Sequence, residues 1–156
     1  MQEITIHLLR QKPQYKSTVA NWLFKEFARP NETLSFFESL VENGICGQDL
    51  PCFFVAETST HIPVGTVALC RADLLTRQDI APWLALLYVD PEFRNHKIGT
   101  QLQNALLLYA KQKGFSQVYL YTTLINYYEK NDWHPIGSGI ECDGTVVKLY
   151  QKQTQT

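Results

Sequence analysis

The amino-acid sequence predicts a single α/β domain in which a mixed β-sheet of about six to seven strands is flanked by about four helices. Its 156 residues are enough for one domain with a substantial core. Apolar residues alternate at strand spacing in some segments and recur at helical spacing in others. A continuous apolar strand, a long amphipathic helix and a further strand follow one another, which indicates a right-handed parallel crossover. We therefore expect one domain over 1–156, with 151–156 as a frayed polar tail.

The N-terminal half of the chain predicts one strand, two helices and then two paired strands. Alternating Ile4, Ile6 and Leu8 indicate the first strand. Pro30 closes the first helical segment, and Gly44 suits the end of the second. The predicted elements are a strand at 4–9, a helical pattern from Val19 to Phe27, a second helix that Asn31 or Thr33 caps, and strands at 52–57 and 64–70.

The C-terminal half predicts the centre of the sheet and one of its edges. The segment Leu84–Val89 is continuously apolar, as expected for a strand covered on both faces. The segment Thr100–Lys113 has the clearest helical pattern in the chain, and Gly114 follows it. The dipeptide Asp143-Gly144 is a hairpin signal between the last two strands. The remaining predicted elements are a strand at 116–121, a short helix at 124–130, and strands at 136–142 and 145–150.

Composition and charge narrow the function classes. The formal net charge is −1 and the pI is about 6.4, so the chain lacks the basic surface that sequence-independent nucleic-acid binding needs. No apolar run approaches the length of a membrane span, and the N-terminus does not resemble a secretory signal. We expect a cytoplasmic protein that binds neither nucleic acid nor membrane. No cysteine pair has C-x-x-C spacing, and we predict no metal site.

The most informative segment joins the central strand to the long helix. The strand stops at Asp90-Pro91, a polar loop containing Arg94 follows, and Gly99 lies where the helix begins. A helix N-terminus has unpaired backbone N–H groups and a partial positive charge, so this order of elements can bind a pyrophosphate. A plain strand-to-helix connection with solvated charges explains the same spacing. The segment matches neither a Walker loop nor the dinucleotide fingerprint.

The loop sequence Val89-x-Pro91-x-x-Arg94-x-x-x-Ile98-Gly99 resembles the acetyl-CoA loop of the GCN5-related N-acetyltransferase (GNAT) superfamily. The usual core of that loop is Arg/Gln-x-x-Gly-x-Gly/Ala, and Lys97 stands here in the place of its first Gly. The sequence does not show whether Lys97 changes the affinity for coenzyme A or the preferred acyl chain.

Further segments resemble a bacterial branch of the same superfamily, and the order of predicted elements agrees with it over nearly the whole chain. These segments are Asp73 with Pro82-Trp83-Leu84-Ala85-x-x-Tyr88-Val89, and Tyr121-Thr122 with Tyr127-Tyr128-Glu129-Lys130-x-x-Trp133.

The resemblance implies an N-acetyltransferase that takes acetyl-CoA as cosubstrate and transfers the acetyl group to a primary amine by direct attack on the thioester. In the superfamily the central strand splays from its neighbour, and pantetheine lies in the gap. This implies main-chain contacts to the cofactor from Leu87, Tyr88 and Val89, and a strand N–H that polarises the thioester carbonyl. The implied contacts to the pyrophosphate come from Arg94, Asn95, His96, Lys97, Ile98, Gly99 and Thr100.

The resemblance also places Tyr128 where the family's Tyr-Glu-Lys motif has its general acid, and a phenol is a tolerable proton donor for a thiolate leaving group. The alternative is a core or rim tyrosine, because Leu124, Tyr127 and Tyr128 fall on one face of the predicted short helix. The general base is not identified. Asp73 and Glu57 are candidates because each ends or follows a predicted strand. Either residue could instead be a solvated carboxylate without a catalytic role. A chain of waters could also serve as the base.

Two other functions stay open at this point. The first is a non-catalytic GNAT-fold module that binds coenzyme A as a sensor or as a subunit of a complex, which the substitution of Gly by Lys97 favours. The second is a small-molecule binder that has lost coenzyme A. The acceptor amine, on a small molecule or a peptide, and the choice between monomer and homodimer are not defined by the sequence. Acidic residues hint at a cationic acceptor, and a solvated face explains them equally well: Glu32, Glu38, Glu42, Asp49, Asp73 and Asp79.

Overall fold

The computed structural model describes residues 2–155, which form one seven-stranded sheet and three α-helices. The strands are β1 (Ile4–Leu8), β2 (Cys52–Thr58), β3 (Pro63–Cys70), β4 (Trp83–Val89), β5 (Gln117–Thr122), β6 (His134–Ile140) and β7 (Val146–Gln153). The helices are α1 (Lys16–Phe27), α2 (Leu34–Cys46) and α3 (Ile98–Gln112). The strand order is β1-β2-β3-β4-β5-β7-β6, and β4 with β5 is the parallel pair among these described strands. The predicted mixed sheet flanked by helices is confirmed.

The helices cover both faces of the sheet because each has an apolar stripe. Helix α3 buries Leu102 and Leu106 against Val67 and other residues of one face. Helices α1 and α2 pack on the opposite face, where Leu23 and Phe37 belong to the same buried cluster. The connection from β4 through α3 to β5 is the predicted parallel crossover. Two layers of helix thus fix the position of β4 at the centre of the sheet.

A β-bulge interrupts β4 next to β5. Thr66 pairs with Tyr88 and Ala68 pairs with Ala85, so Leu86 and Leu87 together face the single Val67. Leu86 has φ of 57°, a conformation that costs a non-glycine residue about 1–3 kcal/mol and that clusters at functional sites. Within residues 2–155, β4 pairs with β5 at one position only, Trp83 with Tyr119. The two parallel strands therefore diverge beyond that pair and leave a gap.

Two details of α2 test the predicted signals at its ends. Thr33 is the N-cap, and its hydroxyl accepts a hydrogen bond from the Phe36 N–H at 3.2 Å. The predicted stop at Gly44 is wrong, because the helix continues to Cys46 and Gly47 follows it. A Cβ at Gly44 would come within 2.7 Å of the Phe53 ring. The glycine is therefore explained by close packing of the helix on the sheet rather than by helix termination.

The C-terminal third departs from the prediction in two places. The short helix expected at 124–130 is wrong, since only Tyr128–Asn131 forms a 3₁₀ turn, and the described residues contain three α-helices rather than about four. The last strand also extends to Gln153, and the Thr154 N–H donates to the Ser116 carbonyl at 3.0 Å. Residues 151–154 are thus paired with the neighbouring strand rather than frayed.

In the described part of the chain, no helix combines the length and the apolar character that crossing a membrane requires.

Candidate active site

The gap between β4 and β5 contains a cavity of about 420 Å³, which is within the usual range for a small-molecule site. Its walls are apolar where the strands diverge and polar at one end. The polar end is formed by side chains from separate segments of the chain. The lining residues that carry charged or phenolic groups are Glu26, Asp73, Tyr121, Tyr128 and Glu141.

Asp73, one of the two candidate bases, follows β3 and lines the cavity. Burial raises the pKa of its carboxyl to about 7, the Glu141 carboxylate adds to this rise, and the Arg29 guanidinium opposes it. No described residue donates a hydrogen bond to the Asp73 carboxylate. A carboxyl in this state exchanges protons near neutral pH, which is what a general base requires.

Glu141 and Tyr121 form the second polar group of the cavity. The Tyr121 hydroxyl donates to Glu141 Oε1 at 3.0 Å, and Arg29 Nη2 contacts the same oxygen at 3.0 Å. Burial, the Asp73 charge and the hydrogen bond to Glu141 raise the pKa of Tyr121. Sequence reasoning did not identify Glu141 or Arg29, because they are 112 residues apart and carry no shared pattern. Tyr121 belongs to a segment that carries the family resemblance, but the sequence did not assign it a role.

Tyr128 lies at the start of the 3₁₀ turn and is 8% exposed. Its ring packs edge-on against Tyr127, with 4.8 Å between ring centroids, and against Trp133, with 6.2 Å. Its hydroxyl forms no hydrogen bond with any group among residues 2–155, although the side chain lines the cavity. Burial, together with Tyr127 and the Asp73 charge, raises the pKa of Tyr128. The phenol therefore keeps its proton at neutral pH and has a free hydrogen bond to offer.

Buried hydrogen bonds hold the turn that carries Tyr128. Trp133 Nε1 donates to Gln103 Oε1 on α3 at 3.0 Å. The Tyr150 hydroxyl donates to Glu129 Oε2 at 2.7 Å. These bonds connect the turn to the long helix and to β7, so the phenol is fixed by two rigid elements.

The expected pyrophosphate loop has backbone geometry that suits an anion. None of the amides from Asn95 to Thr100 donates a hydrogen bond to another group in the described part of the chain. Asn95 and Lys97 have φ of 69° and 61°, and Lys97 is the N-cap residue of α3. Lys97 thus adopts the left-handed conformation that a Gly would reach without strain. The loop keeps the backbone path of a glycine position and adds an exposed cation.

Several side chains at this loop already have partners within the protein. Arg94 Nε donates to the Val89 carbonyl at 2.9 Å, and the guanidinium lies 5.8 Å from the centre of the Tyr88 ring. Thr100 Oγ1 is hydrogen-bonded to Asn131 at 3.2 Å. A Cβ at Gly99 would lie 3.1 Å from the Tyr127 hydroxyl. Tyr127 therefore faces the start of α3, whereas Tyr128 faces the cavity, and the two neighbours are distinguished.

The remaining predicted contacts divide between the cavity and the sheet. Leu87 lines the cavity beside the bulge. Tyr88 and Val89 pair with β3, and the Tyr88 ring also stacks on Trp22 with 5.3 Å between centroids. Ile98 is the first residue of α3 and is buried, and His96 is exposed at the loop surface.

Glu57, the other candidate base, lies outside this cavity. It is the next-to-last residue of β2 and is 4% exposed, and it accepts hydrogen bonds from Tyr15 and His7. Lys12 Nζ lies 3.4 Å from Glu57 Oε1. The bond from Tyr15 is the main reason that the pKa of Glu57 falls to about 2, and Lys12 and His7 also lower it. A carboxylate so strongly held in its charged form is a poor proton acceptor.

No group of three or more His, Cys, Asp or Glu side chains within residues 2–155 is arranged to hold a metal ion.

Comparison with known proteins places this geometry in a family. The acetyltransferase (GNAT) family matches residues 16–133. An aminoglycoside 6'-N-acetyltransferase complexed with coenzyme A superposes with a TM-score of 0.76 at 18% identity, covering 99% of this chain and 98% of the other. The spermidine/spermine N-acetyltransferase SpeG from Vibrio cholerae gives 0.71 at 18% identity, covering 97% and 93%. An N-acetyltransferase from Staphylococcus aureus Mu50 gives 0.71 at 15% identity, covering 98% and 99%. At these identities the likeness shows the fold, and no curated protein sequence matches the chain. Because the family match covers most of the chain, the protein belongs to the GNAT family and is an N-acetyltransferase whose acetyl donor is acetyl-CoA.

Proposed function

We propose that the protein acetylates the primary amine of a small cationic molecule, with Tyr128 as general acid and Asp73 as general base. One observation carries the proposal: a carboxyl with a pKa of about 7 and a buried phenol with an unpartnered hydroxyl line the same cavity. These are the two proton-transfer groups that acetyl transfer to an amine needs, one at the nitrogen and one at the sulfur.

The proposed binding of acetyl-CoA uses the gap and the loop at its end. Leu87, Tyr88 and Val89 would contact pantetheine, and the loop from Arg94 to Thr100 would hold the pyrophosphate. The unpaired amides from Asn95 to Thr100 support this assignment, because backbone N–H groups at a helix N-terminus bind phosphate oxygens well. The bulge at Leu86 supports a role for a strand amide in polarising the thioester carbonyl, since it lies where β4 no longer pairs with β5.

The proposed reaction balances protons between the two cavity groups. The neutral amine forms a C–N bond to the acetyl carbon, and the C–S bond breaks. The nitrogen gives one proton to the Asp73 carboxylate, which releases it to solvent. The departing sulfur takes a proton from Tyr128, and the phenolate recovers one from solvent. Because burial raises the pKa of Tyr128, full transfer to sulfur is uphill in the free protein, and a cationic acceptor beside the phenol would reduce that cost.

The choice of a small cationic amine rests on the walls of the cavity. Three carboxyl-bearing residues line it, Glu26, Asp73 and Glu141, and the space is of small-molecule size. The neighbours of similar fold include an aminoglycoside acetyltransferase and a spermidine/spermine acetyltransferase. Cytoplasmic location stays a prediction from the sequence.

The test compares two neighbouring tyrosines. We expect Tyr128→Phe to lower kcat about 100-fold while the KM for acetyl-CoA stays unchanged, because the phenol acts on the leaving sulfur. Tyr127→Phe is the matched control, and since Tyr127 faces Gly99 it should change only cofactor binding. Release of the free thiol and calorimetric titration with acetyl-CoA provide the two readouts. Equal kcat in Tyr128→Phe and the wild type would remove Tyr128 from the mechanism. Tight cofactor binding without thiol release across an amine panel would favour the non-catalytic module.

A further inference from the structure

We propose that the acceptor carries a second ammonium group, that Glu141 and Tyr121 bind this group, and that Arg29 occupies its place until the acceptor enters. This inference rests on the proposed function and adds the chemical class of the acceptor, a small molecule with at least two amino groups.

The contact between Arg29 and Glu141 connects two distant parts of the chain across the polar end of the cavity. Arg29 follows α1, and its Nη2 lies 3.0 Å from Glu141 Oε1, whereas Glu141 follows β6. Arg29 Nη1 also contacts Cys142 Sγ at 3.5 Å. The Glu141 side chain is 20% exposed and that of Arg29 is 47% exposed. The carboxylate thus belongs to the cavity wall, and its cationic partner reaches it from the solvent side.

An arginine in this position can leave at low cost. A half-exposed ion pair contributes little to stability, because water solvates both groups and the long side chain loses rotamer freedom. The partly buried carboxylate, in contrast, needs a cation or strong donors in place of water. An ammonium group supplies three donors, and the Tyr121 hydroxyl already directs a hydrogen bond to the same Glu141 oxygen. An incoming amine can therefore replace Arg29 without leaving Glu141 unpaired.

A second, independent observation is that two polar groups of this cavity are left open to a ligand. Tyr128 is only 8% exposed, yet its hydroxyl has no hydrogen-bond partner among the described residues. The Asp73 carboxylate, which raises the pKa of both Tyr121 and Tyr128, likewise accepts no hydrogen bond from a described group. The reacting amine at Asp73 and a second ammonium group at Glu141 would therefore meet carboxylates that line the cavity, while Tyr128 faces the thioester sulfur.

The same charges exclude other acceptors. An acceptor whose far end carries a carboxylate would bring that carboxylate to Glu141, where the like charge repels it. A monoamine would leave the Arg29–Glu141 pair in place and gain nothing from it. The preference among amines of equal length should therefore follow the charge at the far end of the molecule.

The experiment uses three acceptors with the same four-carbon chain: putrescine, butylamine and γ-aminobutyrate. We expect kcat/KM to fall roughly tenfold or more from putrescine to butylamine, and further for γ-aminobutyrate, as expected for loss of a charge-assisted hydrogen bond. Glu141→Gln should remove the advantage of putrescine over butylamine. At a pH above the titration of Asp73, Arg29→Gln should lower the KM for putrescine and leave that for butylamine unchanged, because it removes the competing cation. Glu38→Gln is the matched control, since Glu38 is exposed on α2 outside this cavity.

The outcomes separate the two proposals. Equal kcat/KM for putrescine and butylamine in the wild type would overturn the second-ammonium inference and leave the proposed function standing. Absence of turnover with all amines would overturn the proposed function itself. If Glu141→Gln fails to fold, Tyr121→Phe takes its place, and we expect it to raise the KM for putrescine alone.

Discussion

Glu57 and Asp73 are carboxylic acids near opposite ends of β3, and their surroundings shift their pKa values in opposite directions. Glu57 pairs across from Pro63 at the start of β3, and Asp73 follows the other end of that strand. The pKa of Glu57 falls to about 2, whereas the pKa of Asp73 rises to about 7. Burial acts upward on both. The difference comes from hydrogen-bond donors, since Glu57 accepts bonds from Tyr15 and His7 and Asp73 accepts none from any described group.

This contrast separates a carboxylate that connects elements of the fold from a carboxyl that is left open beside a cavity. A carboxylate surrounded by donors connects elements: Tyr15 precedes α1, His7 lies in β1, and Glu57 lies in β2. A carboxyl left without donors beside a cavity stays available to a ligand. Burial alone does not distinguish the two carboxyl groups, whereas the number of hydrogen-bond donors around each one does.

The largest expected effect is on turnover at Asp73. Asp73→Asn should lower kcat/KM about 100-fold at pH 8, because the amide cannot accept the proton from the attacking nitrogen. The matched change, Glu57→Gln, should leave kcat/KM per folded molecule unchanged. Thiol release under acetyl-CoA saturation measures both. A loss of turnover in Glu57→Gln that exceeds its loss of folded protein would place Glu57 in the chemistry and break the contrast.

For stability we expect the opposite order, with the larger effect at Glu57 and the smaller one at Asp73. Glu57→Gln should lower the free energy of unfolding by about 2–3 kcal/mol, because Lys12 loses its counter-charge and the bond from Tyr15 loses its charged acceptor. Asp73→Asn should not destabilise the protein, since the wild-type carboxyl is itself disfavoured in its charged form. Urea unfolding of the three proteins at pH 7 gives the comparison. Similar midpoints for Glu57→Gln and the wild type would contradict a structural role for this network.

Glu57 and Asp73 should affect the pH dependence of stability in opposite directions, because folding shifts their pKa values in opposite directions. Glu57 has a lower pKa in the folded chain than in the unfolded chain, so its contribution is present above about pH 4.3 and is lost as the pH falls towards about 2. Asp73 has a higher pKa in the folded chain, so it costs stability as the pH rises from about 4 to about 7. Acid unfolding curves should therefore flatten in Glu57→Gln and keep their shape in Asp73→Asn below pH 4. Unchanged acid sensitivity of Glu57→Gln would mean that other carboxylates dominate.

The sequence could predict local features of this architecture, and it could not predict contacts between distant segments. The loop after β4 and the turn before α3 are encoded within a dozen residues, and Tyr128 lies in register with a family motif. The contrast between Glu57 and Asp73 depends on Tyr15, His7 and Arg29, which approach them only in the folded chain. The turn at Tyr128 was predicted as a helix because a window of seven residues contains too few periods to separate α from 3₁₀ geometry.

The smallest expected effect tests whether Arg29 and Glu141 tune Asp73. The acid limb of kcat/KM should have its midpoint near the Asp73 pKa of about 7. The charged and titratable groups around Asp73 are Arg29, Glu26, Cys70, Tyr121, Tyr128 and Glu141. Arg29 lowers the Asp73 pKa, so Arg29→Gln should move the limb to higher pH, and Glu141→Gln should move it to lower pH because it removes a like charge. Each shift should be below about one pH unit, since both partners are in contact with solvent.

Opposite shifts in the two variants distinguish an electrostatic effect on the base from general damage to the cavity, which would lower the plateau without moving the limb. A limb that stays fixed in both variants would assign the titration to a group other than Asp73 and would leave the cavity without an identified base.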